Sequence, residues 1–207
     1  QRQYFPDAIY TEAFDQGTTI FETDGVRLWH QGDDIAILSF KSKMNTIGAS
    51  VLEGVNRAID EAERNWKALV IWQTREPFSA GADLKDALPV VAAGKWDEFE
   101  QIVASFQAAS HRIEYSLVPV VSAVRGMAFG GGCEFQMHSA KTVFALESYV
   151  GLVEAGVGLL PAGGRPDLCR AGVRGCRSSV QAAGCRRHQG RQGRQIGRVA
   201  VHRWRRC

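Results

Sequence analysis

Gly130-Gly131-Gly132 separates an apolar run, Pro119 to Val124, from a segment that opens Cys133-Glu134-Phe135. This pattern calls for a strand that ends, a backbone turn without side chains, and a helix that begins. Such a junction restricts the fold more than any other stretch, because it needs a sheet to carry the strand and a layer to receive the helix. The first N–H groups of a helix have no partner inside it and can donate to a developing negative charge. Glu134 follows at once, so a carboxylate sits beside this possible oxyanion site.

Two more stretches extend the chemistry. Phe78-Ser79-Ala80-Gly81-Ala82-Asp83-Leu84 follows the apolar run Ala68 to Ile71 and reads as a second strand-to-helix turn with open amides. Gly151-Leu152-Val153-Glu154-Ala155-Gly156 places a second glutamate among apolar neighbours. Either turn alone is a tight connection, Glu134 alone a first-turn acid on a helix dipole, and Glu154 alone a loop acid. Two donor turns with two carboxylates point to carbonyl polarisation combined with acid–base work. Apolar surroundings should raise a glutamate pKa toward the working pH.

The rest of the chain reads as alternating strands and helices. Val26–His30 and Ile35–Phe40 flank Gly32-Asp33-Asp34 and form a hairpin. Apolar residues at Ile47, Val51, Leu52, Val55, Ala58, Ile59 and Ala62 mark a helix within 45–66, and Ala68–Trp72 a buried strand. A short helix or lid segment is expected over 83–89, a longer helix over 96–115, a helix over 131–139 and a strand over 142–146. Residues 1–24 show no steady period and read as a linker or irregular arm. The repetition implies an α/β fold with a parallel-rich sheet and helices outside.

Charge divides the chain. Residues 1–164 hold 13 Lys and Arg against 21 Asp and Glu, whereas residues 165–207 hold 12 Arg and one acid, Asp167. Four of the five cysteines, Cys169, Cys176, Cys185 and Cys207, fall in that basic tail, leaving Cys133 in the body. This usage fits a reducing, cytoplasmic setting and argues against a disulfide framework. No apolar run reaches about 18 residues, as a membrane span would require. The absence of Met at position 1 suggests a piece of a longer product. The glycine run lacks the Lys-Ser/Thr ending of a phosphate loop and the spacing of a dinucleotide fingerprint. His30, His111 and His138 have no metal-type spacing; His138 reads as a packed helix residue.

The three stretches in this order, with Glu134 and Glu154 twenty residues apart, resemble the crotonase (enoyl-CoA hydratase/isomerase) superfamily. Phe40–Gly48 and Ala145–Glu154 are similar to the hydratase segment of fused 3-hydroxyacyl-CoA dehydrogenase/enoyl-CoA hydratases. The resemblance covers roughly residues 25–164 and implies that superfamily's ββα spiral. It implies hydration of 2-enoyl-CoA to 3-hydroxyacyl-CoA in fatty-acid β-oxidation, with Glu134 and Glu154 catalytic and the Ala82 and Gly131 amides as the oxyanion hole. It places coenzyme A, part of the substrate, against Lys43, Ser79, Ala80, Leu84 and Lys85. Phe129 and Leu152 would line the acyl pocket. It implies no catalytic cofactor, no metal, and a homotrimer or hexamer. The enzymatic rival is Δ3-Δ2 enoyl-CoA isomerisation, which needs one carboxylate.

The resemblance breaks off after Pro161-Ala162-Gly163-Gly164, where helices covering the site should follow. The Arg/Gly/Cys-rich tail, 165–207, instead suggests a reading-frame shift, which would leave the C-terminal helical part missing or altered. A native tail of this charge would bind polyanions, making the chain an inactive or regulatory fragment. Its cysteines lack the paired spacing of a zinc site, and it carries no recognisable nucleic-acid module. The nicotinamide-binding half of the fused relatives is absent from these residues.

Overall fold

The computed structural model describes residues 17–163 and 200–202. Nine strands and four helices follow in order: β1 (Thr18–Glu22), β2 (Val26–His30), β3 (Ile35–Phe40), α1 (Ala49–Asn65), β4 (Ala68–Trp72), α2 (Leu84–Ala92), α3 (Trp96–Glu114), β5 (Val120–Val124), β6 (Met127–Phe129), α4 (Gly131–His138), β7 (Lys141–Phe144), β8 (Tyr149–Gly151) and β9 (Ala200–His202). The main sheet has the order β1-β2-β3-β4-β5-β7-β9, and β6 pairs with β8 in a small second sheet.

The main sheet is antiparallel at its edges and parallel in the middle. β2 pairs antiparallel with β3 in the predicted hairpin, with Leu28 opposite Leu38. β3, β4, β5 and β7 then run parallel. Parallel neighbours need crossovers, and α1 supplies the first between β3 and β4. Its buried residues include Val51, Leu52, Val55, Ala58, Ile59 and Ala62, which recur at three- and four-residue steps as read from the sequence, whereas Ile47 lies before the helix and bridges to Ala82. That stripe packs on β2, β3 and β4. α3 packs against both α1 and α4, and its Phe106 stacks on Phe135 of α4, ring centroids 5.2 Å apart.

Two expectations are corrected. The stretch 18–22 belongs to the sheet and not to an irregular arm: β1 pairs antiparallel with β2, matching Thr18 to His30 and Glu22 to Arg27. Its register shifts between Thr19 and Phe21, which hides the alternation a strand normally shows. The tail contributes Ala200–His202, which pairs antiparallel with β7, where the sequence showed no element. The remainder of the basic tail, including its four cysteines and the proposed frame shift, lies outside the described residues.

Candidate active site

The small sheet and the loops around it bring the three sequence stretches together. Phe78 and Ser79 run beside β6: Phe78 N–H donates to the Arg125 carbonyl, Ser79 N–H to Met127, and Phe129 N–H to Ser79, each at 3.0 Å. Gly81 then turns the chain at φ +101°, and a Cβ there would lie 3.0 Å from the Phe129 carbonyl oxygen. A side chain there is strained on both grounds. Ile47 donates to the Gly81 carbonyl at 2.8 Å and accepts from Asp83 N–H at 2.9 Å. This parallel bridge engages the groups on either side of Ala82 and leaves the Ala82 amide without an acceptor among the described residues.

The glycine run forms the facing wall. Gly130 has φ +50° and ψ −121°, and its N–H donates to the Gly151 carbonyl at 3.0 Å. Helix α4 starts at the next residue, so the Gly131 amide is one of the orphan donors of a helix start. The two turns touch. The Cβ position of Gly131 lies 3.6 Å from the Ala82 nitrogen, and that of Gly81 lies 3.6 Å from the Gly131 nitrogen. Two unused amides from distant parts of the sequence thus stand side by side.

Both glutamates reach this corner. Glu134, in the first turn of α4, is 8% exposed. Burial pushes its carboxyl up to about 7, and the neighbouring charge of Glu154 adds to the rise. The Gly163 and Ala162 amides oppose it, Gly163 N–H donating to Oε1 at 2.5 Å. Glu154 opens a single 3-10 turn, Glu154–Val157. Its Oε1 lies 3.2 Å from the Cβ position of Gly130, which places a carboxylate against the glycine run. Its Oε2 is buried and has no hydrogen-bond partner among the described residues. A buried unsatisfied carboxylate oxygen is uncommon unless something else is meant to meet it.

The other residues singled out fall around this centre. Lys43 is exposed on a 3-10 turn, Lys43–Asn45, which is stitched to the Ala82 loop. Ala80 N–H donates to the Met44 carbonyl at 3.2 Å, and Asn45 Nδ2 donates to the Pro77 carbonyl at 2.6 Å. Leu84 and Lys85 are exposed on the first turn of α2, whose N-cap is Asp83. Ser79 differs from the reading that set it along a ligand. It is fully buried, and its hydroxyl accepts from Gly81 N–H at 3.1 Å while its amide and carbonyl bridge to β6. Its polar groups shape the turn. Phe129 ends β6, and Leu152 directly follows β8; both are half-buried. The Ala162 and Gly163 amides were not anticipated, since a donor to a carboxylate from a Pro-Ala-Gly-Gly loop has no sequence signature beyond its glycines. Among the described residues no group of three or more His, Cys, Asp or Glu is arranged to hold a metal ion.

The family model of enoyl-CoA hydratase/isomerase matches residues 31–184. The chain belongs to that family. The match passes Gly164, the residue after which the sequence resemblance breaks off. Among relatives, a Bacillus subtilis (strain 168) protein named "Probable 3-hydroxyacyl-CoA dehydrogenase" is 41% identical over 145 residues, 70% of this chain and 18% of that protein. A Rickettsia felis protein named as a fatty acid oxidation complex trifunctional enzyme is 32% identical over 155 residues, 75% of this chain and 21% of that protein. The chain therefore spans about a fifth of the length of these relatives. An enoyl-CoA hydratase from Bacillus anthracis shares the fold at TM-score 0.64 and 20% identity, covering 71% of this chain and 57% of that one. Pseudomonas aeruginosa DspI matches at TM-score 0.64 and 25% identity, covering 72% and 61%. This enoyl-CoA hydratase/isomerase family member has a mixed α/β fold of the crotonase type, and among its described residues no helix is long and apolar enough to cross a membrane.

Proposed function

We propose that this chain carries an enoyl-CoA hydratase site, acting on 2-enoyl-CoA thioesters in fatty-acid β-oxidation as one segment of a multifunctional protein. The observation that carries the reading is the meeting of two unused amides, Ala82 and Gly131, with two mutually repelling carboxylates, Glu134 and Glu154. The amides would hold the thioester oxygen as it becomes enolate-like. Each such donor is worth about 3–4 kcal/mol in a transition state. Water held between the carboxylates would lose a proton to one of them as its oxygen bonds to the β-carbon. The other carboxyl would deliver a proton to the α-carbon, so water is added whole across the double bond. A carboxyl near pH 7 can exchange protons in either direction at working pH.

The relatives' names support the pathway: a 3-hydroxyacyl-CoA dehydrogenase would oxidise the product this site would form. Coenzyme A would lie along Lys43, Ala80, Leu84 and Lys85, with Phe129 and Leu152 toward the acyl group. The test is loss of enoyl absorbance from crotonyl-CoA with the purified chain, beside Glu154→Gln and Glu134→Gln. Hydration lost in both variants supports the reading. Conversion of a 3-enoyl-CoA that survives one of them, without hydration by the parent chain, would assign isomerisation instead.

A further inference from the structure

Helix α4 is eight residues long, and buried polar side chains, Gln136 and His138, lie on it beyond Glu134. His138 is the one whose burial the proposed chemistry leaves unexplained. Its Nδ1 lies 2.8 Å from the Glu134 main-chain carbonyl, which can only accept, so Nδ1 carries the proton and donates. Its Nε2 faces Glu114 Oε2 of α3 at 4.0 Å, and the His111 ring, also on α3, lies 6.2 Å away. The neighbouring helix end is fixed as well: Ser139 Oγ donates to the Phe135 carbonyl at 3.0 Å and Thr142 Oγ1 to the Gln136 carbonyl at 2.9 Å. The imidazole thus stands between α3 and the backbone of the residue that bears the buried carboxyl, hydrogen-bonded to the latter.

We propose that His138 is a positioning residue for Glu134, acting through the Nδ1–H to carbonyl hydrogen bond to fix the carboxyl in its buried place. The geometry needs only the described contacts; its kinetic consequence rests on the hydratase reading. Among the described residues, the charged and titratable groups that bear on the pair include Glu114 and His111 from α3 and Glu154 against Glu134 itself.

Two substitutions separate the role from simple packing. Asn at 138 places an amide N–H near the position of Nδ1, and Gln places one near Nε2, on the side that faces Glu114. Full-length His138→Asn and His138→Gln chains are compared with the parent by crotonyl-CoA hydration and by carbon-13 NMR titration of the Glu134 carboxyl, assigned with Glu134→Gln. His138→Gln should lower kcat by about tenfold to a hundredfold, with KM within about twofold, as misplacement of a reacting group does. It should also move the Glu134 midpoint away from about 7, while His138→Asn keeps both near the parent values. Equal behaviour of the two variants overturns the proposal. So does a folded His138→Asn chain with a displaced midpoint, whatever happens to His138→Gln. If the parent chain does not hydrate crotonyl-CoA, the hydratase reading fails by itself and the NMR titration alone decides the role of His138.

Discussion

Glu134 sets stability against the chemistry proposed for it within one side chain. Its folded pKa stands near 7 against an ordinary 4.5, mainly because burial disfavours the charge. Between these values the folded chain binds the proton and the unfolded chain releases it, so stability falls as pH rises from about 4.5 to 7 and stays lower above. The shift corresponds to about 3 kcal/mol. Glu134→Gln should therefore raise stability by roughly 1–3 kcal/mol at pH 8, as measured by urea unfolding, with the gain shrinking toward pH 5. A constant difference across that range would show that the carboxyl is not buried as a titrating group. In the parent chain kcat/KM for hydration should bend near pH 7, and Glu134→Gln should remove hydration altogether. The residue pattern exposed this carboxylate and its partner Glu154, because both stand next to glycine-bearing turns. It did not expose the Gly163 and Ala162 donors, which matter only once the loop has folded back on Glu134.

At the scale of elements, the legible pieces were those long enough to show a period. α1 spans 17 residues and its buried stripe is complete, and β4 spans Ala68–Trp72 as read. β6 and β8 have three residues each, too few for an alternation to register, yet they hold the turns that frame the candidate site. Only pairing in space, Met127 with Tyr149 and Phe129 with Gly151, makes them strands. The turns themselves are brittle. Gly81→Ala would bring a Cβ to 3.0 Å from a carbonyl oxygen at φ +101°. A loss of about 1–3 kcal/mol in unfolding free energy is expected, with hydration falling further than stability alone explains. The N-cap of α2 is a milder test: Asp83 Oδ1 accepts from Lys85 N–H at 3.1 Å. Asp83→Ala should lose about 1 kcal/mol, and hydrogen exchange should rise first over residues 84–92.

Across the whole molecule, apolar side chains remain uncovered near the end of the described core. Leu160 is 84% exposed, and Leu146, Tyr149, Val153 and Leu159 are exposed along the same stretch; Leu117 stands at 86% on the turn before β5. Exposed apolar surface of this kind favours association. Sedimentation velocity should show concentration-dependent self-association that Leu160→Lys with Leu117→Lys reduces; an unchanged monomer in both chains would contradict it. The overall architecture and the β2–β3 hairpin were accessible from the sequence pattern, but the outermost strands β1 and β9 were not, since the β1 shift and the short β9 leave weak patterns. The loop that closes on Glu134 also has a consequence in time. Ile47, Ala82, Gly131 and Glu154 are all synthesised before Gly163, and a domain generally folds as a unit once its parts have emerged. The Glu134 carboxyl therefore lacks the amide that holds it until the chain has been made as far as Gly163, so the candidate site is completed only after strands β1 to β8 have been translated.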